Sequence, residues 1–133
     1  MKLLATANAI IVGSEFLKKN PEAVKAFLSA FTKGIKEVMA NPDPAIEYVK
    51  ARDGIINVAL ETRRLQLAVD SVVASPDARK EGFGQINPGR LSLMASQVSD
   101  AYATKNRVDP NVVWNGSMLP AAAELNVLPA AKK

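Results

Sequence analysis

The carboxylates and guanidinium groups of ETRRLQLAVD, residues 61–70, are side chains able to do chemistry. On a helix advancing roughly 100° per residue, Glu61 and Asp70 fall on opposite faces, so they are not a paired acid–base site. Arg63 and Arg64 beside Glu61 read as a solvated ion-pairing face rather than an anion site. The stretch EGFGQINPG lacks the spacing of a phosphate cradle and follows no strand, which leaves an interhelical loop. Trp114 and Met118 have the bulk to line a pocket, but an apolar tail pinned to a helical surface is their default reading. The sequence has no histidine and no cysteine. That removes the usual general base near neutral pH, the commonest transition-metal ligand, a thiolate nucleophile and cysteine-held zinc. No nucleophile–base constellation can be assembled. The expectation is a protein that is not an enzyme, with no catalytic residue, metal site or cofactor.

The elements that carry these residues belong to one ordinary domain at most, residues 1–133. With 48% apolar and 23% charged residues the chain is globular in type. Its formal charge of +4 comes from scattered lysines, with no basic stripe interleaved with aromatics, so no nucleic-acid partner is expected. The opening MKLLATANAIIVG poses three options: a leader, an anchor or a strand. Only Lys2 supplies charge, and Thr6 and Asn8 interrupt the apolar run, which argues against a signal peptide. No stretch approaches the ~20 apolar residues of a membrane span. The remaining option is a short buried strand over Ala7–Val12, with the β-branched run Ile10-Ile11-Val12, stopped by Gly13.

Beyond it the spacing predicts about five helices. SEFLKKNP reads as a short helix capped by Ser14 and ended by Pro21. Asn20 then caps a long helix with Pro21 at its first position and an apolar face of Val24, Phe27, Leu28, Phe31, Ile35, Val38 and Met39. Asp43 caps a third helix with Pro44 as its first residue, Ile46 and Val49 facing inward and Gly54 ending it. Asn57 starts a fourth, with Val58, Leu65, Val69 and Val72 on one stripe, closed by Ser75-Pro76. DARKEGFGQI is expected to be a loop. Asn87-Pro88 starts a fifth helix burying Leu91, Met94, Ala95, Val98 and Tyr102, and the tail after it is irregular, with a helical turn following Pro120. A single strand cannot make a sheet, and its backbone groups would stay unpaired if buried.

The stretch NAIIVGSEFLKKNPEAVKAFLSAFTKGIKEVMANPDPAIEYVKARD closely resembles a segment of ABC-importer substrate-binding proteins of the nitrate/sulfonate/taurine type, a group that includes binders of a thiamine pyrimidine precursor. The string NPEAVKAFL, residues 20–28, is its most specific part. The later INPGRLSLMASQVSDAYATKNRVDPNVVWNGSMLP is similar to that family's closing segment. Gly13 departs from the pattern, because the family places a serine directly after the strand. The resemblance implies a two-lobed α/β molecule that grips a solute between its lobes. This chain then corresponds to a C-terminal portion of such a protein: a mainly α, helical layer from one lobe of a type II periplasmic-binding-protein fold. It also implies a small-molecule solute, an ABC permease as partner and a periplasmic location; with no signal peptide read in the chain, the cytoplasm is open too. Asn8, where the crossover runs into the strand, is the one ligand-binding candidate, against a plain reading as a polar residue ending a crossover. The alternative reading is a helical protein-interaction module acting as a homo-oligomer. A homo-oligomer is expected on either reading, because the strand and the apolar stripes lack partners within the chain.

Overall fold

Proline and asparagine punctuation divides the chain into helices. In the computed structural model, which describes residues 8–129, seven of them follow in order. They are α1 (Ser14–Lys19), α2 (Pro21–Ala40), α3 (Asp43–Arg52), α4 (Val58–Ala68), α5 (Pro76–Glu81), α6 (Pro88–Ala101) and α7 (Pro110–Val113). A π-helical turn, Val69–Val73, continues α4, and a 3₁₀ turn, Gly116–Met118, follows α7. The mainly helical expectation is met.

The expected strand is not formed. Ala7 lies outside the described residues, and so does most of the stretch weighed as a leader; residues 8–13 have no regular structure, and Asn8–Ile11 are exposed. The physical reason is the one foreseen: no strand among the described residues is there to pair with it. Two helix starts shift by one residue. Ser14 is the first residue of α1, after Gly13, and Asp43 is the first of α3, after Pro42. Asn20 does precede α2, but its side chain donates back to the Phe16 carbonyl at 3.4 Å instead of capping. Asn57 and Asn87 cap as expected, accepting from Leu60 N–H and from Gly89 and Arg90 N–H respectively.

The segment expected as a loop after Ser75-Pro76 contains α5. Ser75 follows directly on Ala74, where the π turn ends as expected, and it also caps the next helix, accepting from Ala78 N–H at 3.3 Å. A salt bridge from Arg90 to Asp77 ties α5 to α6. Asp109 caps α7 in the same way, through Asn111 N–H. After Pro120 the chain makes a hydrogen-bonded turn, with Glu124 N–H and Leu125 N–H both donating to the Ala121 carbonyl.

The tail closes the core. Leu125 and Val127, 1% and 2% exposed, are buried with Val24, Ile46 and Ala95. Phe83 N–H donates to the Leu125 carbonyl at 2.9 Å, and Ser29 Oγ donates to Glu124 Oε2 at 2.9 Å. One strap therefore joins the Gly82–Gly84 turn to α2. Two buried hydroxyls are satisfied locally: Thr32 Oγ1 donates to the Leu28 carbonyl, and Ser99 Oγ donates to the Ala95 carbonyl while accepting from Val108 N–H.

Several expected core residues lie outside. Phe27 and Phe31 are 56% and 41% exposed, and Val49, Val72, Val98 and Tyr102 are exposed as well. The apolar periodicity of their helices exceeds what this chain can cover. The chain exposes 10101 Å², against about 6,800 Å² for a compact monomer of this size.

Candidate functional site

A groove of about 340 Å³ runs where α2 ends, α3 begins and α4 passes into its π turn. Its apolar floor comes from Val38, Met39, Leu65 and Val69, with Leu128 from the tail. Its polar lining comes from Asp43, Thr62, Gln66, Asp70 and Arg79. The π turn positions part of that lining. The Ala74 N–H reaches back to the Val69 carbonyl at 2.8 Å, and this widened turn carries Val69, Asp70 and Ala74 to the groove.

Local bonds already hold much of the polar lining. Gln66 Nε2 donates to Asp70 Oδ1 at 3.0 Å, Thr62 Oγ1 donates to the Val58 carbonyl, and Arg79 Nε donates to the Ala74 carbonyl. Among the described residues no group of carboxylates could hold a metal ion, and no helix is long and apolar enough to cross a membrane.

The residues singled out in the sequence do not converge. Glu61 and Arg64 form an ion pair at 2.6 Å, as the ion-pairing reading expects, while Asp70 faces the groove beside Gln66. Asn8 is exposed at the start of the described residues and is not part of the groove lining. Trp114 and Met118 are half-buried around the 3₁₀ turn; the indole Nε1 lies 3.3 Å from where a Cβ on Gly116 would stand. A second, shallow hollow involves Ser99, Asp100, Ala103, Thr104 and Arg107, and it is the outer side of the turn that ends α6. The groove was not foreseen. Its one local signal is the closely spaced Thr62, Gln66 and Asp70 of α4 and its extension, at helical intervals of four.

No curated protein and no solved structure matches the chain. Residues 4–45, which include α1 and α2, match the family model described as NMT1/THI5 like. The match supports that family over this short region and, with it, a function related to binding proteins.

Proposed function

We propose that the chain is a solute-binding component of an ABC importer, or a remnant of one, contributing a helical layer of one lobe. The match of residues 4–45 to the NMT1/THI5-like family carries this reading. The solute class is a small organic or inorganic anion or a related nutrient, the partner is an ABC permease, the compartment is the periplasm and the role is non-enzymatic. Asn8 stays the candidate ligand contact on the family resemblance alone. The test is uptake of labelled nitrate, taurine and an aminopyrimidine by cells with and without the gene. Loss of uptake of one solute on deletion, restored by re-expression, is the expected result. Unchanged uptake of all three overturns the transport reading.

A second reading is favoured by one observation, the exposed surface about half as large again as that of a compact monomer. On it the chain is a helical interaction module that completes its packing as a homo-oligomer. Light scattering across a concentration series distinguishes the two: an oligomer at micromolar concentration is expected, and a well-folded monomer throughout argues against it.

A further inference from the structure

The long helix α2 carries more apolar surface than the rest of the chain covers. Its covered side centres on Val24, Leu28, Thr32 and Ile35. Around the helix from there, Phe31, Phe27, Gly34, Ala23 and Ala30 continue an arc of roughly 200°, about twice the stripe a surface helix needs. All five are exposed, and the two rings stack on each other with centroids 6.2 Å apart. Ala23, Phe27, Ala30 and Gly34 follow one another at alternating intervals of four and three, the spacing of a coiled-coil seam. A Cβ on Gly34 would meet nothing within 4 Å. Nothing inside the chain therefore calls for a mid-helix glycine, which weakens a helix relative to alanine.

We propose that this flank of α2 is the interface between two copies of the chain, packed antiparallel about a two-fold axis at the level of Leu28 and Ser29. In that register Phe27 of each copy lies level with Ala30 of the other, and Ala23 with Gly34. Along the seam the Phe27 ring meets a small residue, and the backbones draw close where the glycine lies. A parallel pair sets Phe27 on Phe27 and leaves a gap at Gly34. The area agrees with a second copy as occupant. A standard interface removes on the order of 800 Å² from each partner. The surface this chain exposes beyond that of a compact monomer is about 3,300 Å².

This inference rests on the interaction-module reading, and its test separates the two. Light scattering of the unaltered chain at micromolar concentration should report two chains per particle. Ala30→Glu changes an exposed position, so a dilute sample should keep its helical circular dichroism. It should weaken the dimer on the order of 100-fold, because the two-fold axis buries two unpaired carboxylates. The chain has no cysteine of its own, so a spin label on Ala40→Cys reports one distance. The antiparallel pair puts the two labelled backbones about 35 Å apart at roughly 1.5 Å of rise per residue, and a parallel pair holds them near 10 Å. A monomer at every concentration overturns the interface and the reading beneath it. A dimer indifferent to Ala30→Glu, or one with the short distance, overturns the interface and leaves the reading standing.

Discussion

At the end of α6, Ala103 stands at φ 46°, in the left-handed region where glycine is usual. The bonds around it form a Schellman turn: Thr104 N–H donates to the Ser99 carbonyl at 3.1 Å, and Ala103 N–H to the Asp100 carbonyl at 3.4 Å. The methyl group of Ala103 is strained there and glycine is not, so Ala103→Gly should stabilise the chain by about 1 kcal/mol. The measurement is a urea midpoint that rises while the slope stays unchanged. Gly82 is the opposite case. Its φ is 99°, and a Cβ there would stand 3.1 Å from the Leu125 Cβ, a side chain already fully buried. Gly82→Ala therefore meets both backbone strain and a contact that cannot give way, and it should cost about 1–3 kcal/mol in the same titration. Neither effect is readable from composition or periodicity, because both depend on where the chain turns back on itself.

Among the elements, the tail strap and α2 exchange the roles their sequences imply. Leu125→Ala should cost about 2–5 kcal/mol, the range for emptying a buried leucine site. Phe27→Ala in the dilute, unassembled chain should cost no more than about 1.5 kcal/mol, the scale of one aromatic pair. Denaturant melts that rank them the other way would place the core on the aromatic flank of α2. Local signals served well where a side chain and the backbone beside it settle the matter. Asn57 and Asn87 cap their helices, and the 3–4 spacing of α2 marks a helix whatever covers it. They failed where one residue serves two neighbours. Ser75-Pro76 ends one helix and opens another, so reading it as a stop hid α5. The burial of Leu125 and Val127 depends on contacts with distant residues such as Gly82 and Phe83, which no window along the sequence contains. The groove lining, drawn from α2 through the tail, was hidden for the same reason.

For the whole molecule, the excess surface sets how sharply it unfolds. The dependence of stability on urea scales with the surface exposed on unfolding. A chain that hides so little should show, at sub-micromolar concentration, a slope near the lower end of the usual range, about 1 kcal/mol per molar urea. The slope and midpoint should both rise with protein concentration if copies cover one another. A steep slope independent of concentration would mean that the chain closes its own core. The strap bears on timing as well. Ser29 and Glu124 are 95 residues apart, so their hydrogen bond closes a loop that helix formation alone cannot shorten. Helices form on microsecond scales, while contacts this distant wait on chain closure. The strap is thus the last part to dock and the first to let go. Leu125→Ala should consequently hasten unfolding while leaving the refolding rate nearly unchanged in stopped-flow traces, the signature of a latch that holds an assembled structure without guiding its assembly.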